Sequence, residues 1–161
     1  MTDFLYNTGA GEMIQGGTAL DILADAKVKW MFIDSTSYAA DRDDDLVDAG
    51  GANDAADHEM SGTGYVAGYN GSGRHVLASR SITINKANDR SEFDAADETW
   101  TSIDAGIVEQ VLVIKEDHLG AAGNDTETRL ISHHDTNFPV TTNGGDLTVQ
   151  TPNDVIRLST V

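Results

Sequence analysis

Two short runs, Val28–Asp34 and Val108–Glu116, carry apolar side chains at consecutive positions instead of on one face only. In the first, Trp30, Met31, Phe32 and Ile33 follow Lys29 without interruption, and in the second Val111 and Val113 alternate with Leu112 and Ile114. Strands of this kind are covered on both sides. Whatever else the chain does, it must place these two runs inside a sheet that is buried on both faces.

The remaining periodicity is weaker but mostly extended. Thr63–Tyr69 reads as one strand and His75–Ile84 as another, with Val76, Ala78, Ile82 and Ile84 on one face interrupted by Arg80. The turn-like Lys86-Ala87-Asn88-Asp89 leads to Ser91–Ala95, which predicts a hairpin. Trp100 and Ile103 mark a short segment and Arg129–His133 a further strand. Asn143-Gly144-Gly145-Asp146 tolerates positive φ and predicts a second hairpin between Val140 and Leu147–Gln150. Pro152 ends that strand, and Val155–Ser159 makes a final one. Near the start, Tyr6–Gln15 predicts a brief helix, which Gly9 and Gly11 each weaken by about 1 kcal/mol relative to alanine. Gly16-Gly17 breaks it, and Thr18–Asp25 is too short a pattern to separate helix from strand. No repeat recurs at a fixed period. The expected fold is all-β: a single β-sandwich or barrel-like domain over residues 1–161 with a short N-terminal helix.

Residues Ser35–Met60 lose all periodicity, are rich in Asp, Ala and Gly, and exceed the length of ordinary connections. They read as a long acidic loop that is mobile in the free chain and ordered by something outside the domain.

With 27 acidic against 10 basic residues, the net charge of -17 disfavours nucleic acid and anionic lipid alike. Met1–Tyr6 lacks a secretory signal, and no stretch approaches a membrane span of about 20 apolar residues, so a soluble protein is expected. Cysteine is absent, so stability must come from the core or from neighbouring subunits. The acid is mostly Asp and the only lysines are Lys27, Lys29, Lys86 and Lys115, a bias compatible with a saline environment.

Chemistry-bearing motifs are few. Asp41-Arg42-Asp43-Asp44-Asp45 places acids at alternating positions, as an oxygen-ligand calcium loop requires, which makes Asp41, Asp43 and Asp45 the candidate metal ligands. Leu46 and Ala52 stand where an EF-hand needs Gly and Glu, so that motif is rejected. His58-Glu59 begins like a zinc metalloprotease signature but has Gly62 where the second His belongs. His133-His134 project to opposite faces of a strand and cannot easily share one ion. Gly68–Arg74 has the glycine content of a phosphate loop without the strand-to-helix setting. No serine elbow or cysteine nucleophile is present, and an enzyme is not expected.

Five phrases in order carry a resemblance: Phe4-Leu5-Tyr6-Asn7; Val28-Lys29-Trp30-Met31-Phe32-Ile33-Asp34; Ser61-Gly62-Thr63-Gly64-Tyr65; residues 87–97, with Asn88-Asp89-Arg90 and Glu92-Phe93-Asp94; and residues 139–149 around Thr142-Asn143-Gly144-Gly145-Asp146. Across nearly its whole length the chain resembles a group of small virion structural proteins of tailed bacteriophages and archaeal tailed viruses. The resemblance implies a β-rich virion component, attached to the capsid surface as a decoration or cement protein, although some relatives are labelled minor tail proteins. It supplies no catalytic residues, and apart from the Ca2+ that Asp41, Asp43 and Asp45 could take, no cofactor is expected. Ala10 and Gly11 stand where such proteins are often basic. The expected partners are the major capsid protein and copies of the chain itself, as a homo-oligomer on the particle. A tail or baseplate component and a host-adhesion β-sandwich are the alternatives, and for adhesion neither Trp30 nor Trp100 forms a clear aromatic platform.

Overall fold

Extended runs separated by Gly, Asn and Asp turns fold into antiparallel sheets with one short helix. The structure is a computed structural model that describes residues 3–15, 21–23, 26–34, 36–88, 90–120, 123–151 and 156–159. In chain order these contain β1 (Phe4–Leu5), α1 (Asn7–Gln15), β2 (Val28–Ile33), β3 (Ser81–Asn85), β4 (Arg90–Asp94), β5 (Glu98–Trp100), β6 (Ile107–Val108) and β7 (Gln110–Lys115). They continue with β8 (Arg129–His134), β9 (Val140–Thr141), β10 (Leu147–Val149) and β11 (Ile156–Ser159). Every pairing between these strands is antiparallel.

The two apolar runs become β2 and β7, hydrogen-bonded side by side in a sheet of order β1-β8-β7-β2. All six positions of each are buried. One face sends Trp30, Phe32, Val111 and Val113 against Tyr65 and Trp100, and the other sends Met31, Ile33, Leu112 and Ile114 against Tyr6 and Tyr38. β2 ends the sheet order, yet its outer edge is closed: Trp30 N–H donates to His75 O (2.9 Å), Leu77 N–H to Val28 O (3.0 Å) and Met60 N–H to Phe32 O (2.9 Å). Single bridges from Lys29 to Val76 and Ile33 to Glu59 complete the seal. A buried strand cannot leave its amides unpaired.

Residues 36–60 pack onto this chain's own core, which corrects the expectation that they depend on something outside the domain for their structure. Tyr38, Val47 and Ala55 are buried beneath the second face of the sheet. Val47 N–H donates to Thr128 O (2.9 Å), Leu130 N–H to Asp45 O (3.0 Å) and Ala56 N–H to Val47 O (2.9 Å). The anchors are spaced eight and nine residues apart, so they leave no period to read.

Three further expectations change. Thr63–Tyr69 is not a strand: Gly62 and Tyr65 close a tight turn by exchanging backbone hydrogen bonds, with Gly64 at φ +79°. His75–Ile84 is not one strand: only Ser81 onward is extended as β3, Ser79 stands at φ +50°, and the inward residue is Leu77 while Val76, Ile82 and Ile84 are exposed, so the buried face is not the one the alternation suggests. The Asn143–Asp146 turn forms, with Gly144 at φ +84°, but its flanking strands do not pair with each other. Instead β9 joins β6 and β10 joins β5. The β3–β4 hairpin forms as expected, in register from Ser81–Asp94 to Asn85–Arg90. Gly16-Gly17, most of Thr18–Asp25, Asp89, Pro152 and Val155 lie outside the described residues.

Helix α1 forms despite its glycines, and one of them is required. A Cβ on Gly9 would lie 2.8 Å from Leu130 O and 3.3 Å from Ile131 Cα, so the helix can reach β8 only without a side chain there. Gly11 has nothing within 4 Å. Gly9→Ala is therefore expected to destabilise by about 1–3 kcal/mol through forced overlap with backbone. Gly11→Ala should stabilise by up to about 1 kcal/mol, since it lowers the entropy of the unfolded chain and favours helix. Thermal melts of the two variants should move in opposite directions.

Candidate subunit-contact surface

The sequence Arg80-Ser81-Ile82-Thr83-Ile84-Asn85-Lys86 alternates polar and β-branched residues, which favours an extended strand. The Lys86–Asn88 turn sends it back as β4, with Asn88 N–H donating to Asn85 O (3.2 Å). β4 is the middle strand of the sheet β11-β4-β3 and anchors the hairpin through buried Phe93. Ser81 to Ile84 of β3 are exposed throughout, Ile82 at 50% and Ile84 at 69%. Among the described residues no strand pairs with the outer edge of β3. An edge that offers free backbone donors and acceptors together with exposed isoleucines is a template for another chain. Charged residues stand at its ends, Arg80 and Lys86, and none lies within it.

The body is fastened by a buried ionic cluster that the sequence conceals. Arg74, with a fully buried side chain, donates from Nε and Nη2 to Glu59 (2.7 and 2.6 Å) and from Nη1 and Nη2 to Asp125 (2.6 and 2.9 Å). Its Nη1 also reaches Glu116 Oε1 at 3.3 Å, and Lys29 Nζ lies 2.5 Å from Glu116 Oε2. Burial alone would lower the Arg74 pKa, but Glu59 and Asp125 hold the guanidinium charged, above its ordinary value. The cluster joins five residues, Lys29, Glu59, Arg74, Glu116 and Asp125, spread over the chain. Gly73, read as part of a glycine-rich loop, is there for packing: a Cβ would lie 2.5 Å from the Tyr65 ring. The indole Nε1 of Trp100 donates to its carbonyl (2.7 Å).

Two of the three calcium candidates, Asp43 and Asp45, meet the helix. α1 has no acid in its own first turn. Asp43 Oδ1 accepts from Asn7 Nδ2 (2.7 Å) and Asp45 Oδ1 from the Thr8 hydroxyl, so two carboxylates from another segment face the positive end of the helix dipole. Asp41 Oδ1 accepts from Asp43 N–H (3.0 Å). Asp43, Asp44, Asp45 and Asp54 line a cleft of about 200 Å³, where burial and then the neighbouring carboxylates raise the Asp44 pKa. Among the described residues no group of three or more His, Asp or Glu is arranged to hold a metal ion. Glu59 belongs to the Arg74 cluster, whereas His58 Nε2 pairs with Asn53 Oδ1 at 3.0 Å.

His133 and His134 do point to opposite faces. His133 is buried, stacks on Phe4 at 4.7 Å and meets Gln110 Oε1 at 2.9 Å. His134 lies edge-on to Trp30 at 6.4 Å and its Nδ1 is 3.7 Å from Asp3 Oδ2. The His134 contact, with backbone donors at Asp135 and Thr136, holds the Asp3 carboxyl well below the usual carboxylate range. Trp30 is in the core, as the sequence implies, and so is Trp100. No known protein family, curated protein or solved structure matches this chain.

Proposed function

We propose that the chain is a structural protein of a tailed-virus particle, a decoration or cement protein that sits on the capsid surface and bridges major capsid subunits. The observation that supports this reading is the outer edge of β3, where Ile82 and Ile84 stand exposed and which no strand pairs with among the described residues. A net charge of -17 directs such a surface toward protein and away from nucleic acid. We read the antiparallel sheets as a sandwich-like arrangement, in which buried Phe93 of β4 ties the hairpin to the core. Binding, not catalysis, is the activity, and no cofactor enters it.

A protein that binds the assembled lattice and not its separated parts must stabilise the lattice, by about 2.7 kcal/mol per site at a hundredfold excess over its dissociation constant. Particles lacking the protein are therefore expected to assemble but to release DNA at lower temperature. The difference should grow with ionic strength if both surfaces are acidic, because salt screens their repulsion. Thermal DNA release, with and without the protein across a salt series, tests this. Equal release temperatures at saturating occupancy exclude the cement role. Quantified band intensities from purified particles then distinguish a lattice component from a tail part present in few copies.

A further inference from the structure

We propose that β3 pairs with β3 of a second copy of this chain, antiparallel about a two-fold axis through Thr83, so that two three-stranded sheets become one continuous sheet. This deepens the subunit-binding reading of the hairpin and rests on it. The sequence around the edge is self-complementary: outward from Thr83 on either side come Ile, a small polar residue and a cation, as Ile82, Ser81 and Arg80 in one direction and Ile84, Asn85 and Lys86 in the other. In an antiparallel pair centred on Thr83, each Ile82 lies opposite Ile84 of the other copy, and each Ser81 opposite Asn85. The two exposed isoleucines of each copy then cover one another on one face, while the open ladder of β3 is filled.

The opposing influence is charge. Each copy carries -17 overall, so two copies repel. Exposed like charges repel through solvent and are screened within about 10 Å at 0.1 M salt and about 3 Å at 1 M. Ladder bonds and isoleucine contacts do not fade in this way. Pairing should therefore strengthen as salt rises. A single five-residue strand offers less than the roughly 800 Å² per partner of a stable interface, so free copies associate weakly and pairing becomes extensive where copies are concentrated on a surface.

The chain has no cysteine, which allows the register to be read directly. Residues directly opposite in an antiparallel pair have Cα atoms about 4.5–5.5 Å apart, within the range a disulfide spans. With oxidised glutathione as oxidant, at high protein concentration and high salt, Thr83→Cys is expected to form a covalent dimer. Ser81→Cys alone should not, nor Asn85→Cys alone, but an equimolar mixture of the two should give the mixed dimer. Ile84→Asp in the Thr83→Cys background should abolish the cross-link while leaving the circular dichroism spectrum unchanged, because Ile84 contributes little to the core. Sedimentation of the native chain should show the dimer dissociation constant falling by about tenfold or more between 0.1 and 1 M salt as repulsion is screened.

Equal cross-linking by all three single-cysteine variants, no cross-link by any, or a dimer that persists with Ile84→Asp would overturn the proposal. If the cross-links fail while DNA release still depends on the protein, β3 self-pairing is wrong and the virion role stands. Register-specific cross-links with particles indifferent to the protein support the pairing and remove the cement role.

Discussion

Replacing Arg74 with methionine is expected to destabilise the folded chain by about 3–5 kcal/mol, because it leaves buried carboxylates without their cation. The arginine is fully buried, and Glu59 and Glu116 are almost as inaccessible. Methionine fills part of the volume but supplies none of the donors that meet Glu59 and Asp125. Lysine should recover only part of the loss, since a single ammonium cannot reproduce two bidentate contacts. Adding Glu59→Gln to Arg74→Met should restore some stability by removing one of the stranded charges, so the two substitutions should not be additive. Urea unfolding at neutral pH reads all three, with the shift expected in the midpoint. A midpoint within experimental error of the unmodified chain for Arg74→Met would show that the cluster contributes nothing net. The native cluster should also resist salt, because buried pairs are screened far less than exposed ones.

Acidification from about pH 6.5 to 4 is expected to remove about 2–3 kcal/mol of stability through His133 alone. Its tautomer follows from the chain of contacts. Gln110 Nε2 donates to Tyr38 O at 3.2 Å, which turns Gln110 Oε1 toward His133 Nε2, and that nitrogen must therefore carry the proton. Nδ1 is buried with no hydrogen-bond partner, so a second proton would place an unsolvated charge in the core. Burial, with a smaller contribution from neighbouring His134, pushes the His133 pKa down to about 4 against the opposing pull of Asp135 and Asp3. Below its unfolded value near 6.5 the unfolded chain binds the proton and the folded chain does not, so stability is complete above that pH and falls as pH drops toward 4. His133→Gln, which keeps an Nε2 donor and cannot titrate, should flatten the slope of unfolding free energy over that window while lowering stability at neutral pH. A slope unchanged by this substitution would assign the acid sensitivity elsewhere.

The parts of the fold legible in the sequence are those whose signal is local. Consecutive apolar residues declare β2 and β7 because a strand buried on both faces leaves no polar position to hide. The turn residues 86–88 announce the β3–β4 hairpin, and glycine at 144 the turn that bears its positive φ. Opposite projection of His133 and His134 follows from the pleat alone.

Tertiary structure decided what depends on partners distant in sequence. Tyr38, Val47 and Ala55 reach the core at intervals matching no secondary-structure period, so an acidic stretch that looks unstructured is in fact a layer of the molecule. The Asn143–Asp146 turn could be read, but which strands it separates depends on β5 and β6, laid down some 35 or more residues earlier. Arg74 gives no sign in a glycine-rich run that three carboxylates, from residues 15 to 51 positions away, will close around it. Alternation in β3 correctly indicates a strand, but alternation says only that two faces differ, not that either is covered. Burial is a property of what packs above a strand, and Ile82 and Ile84 stay 50% and 69% exposed.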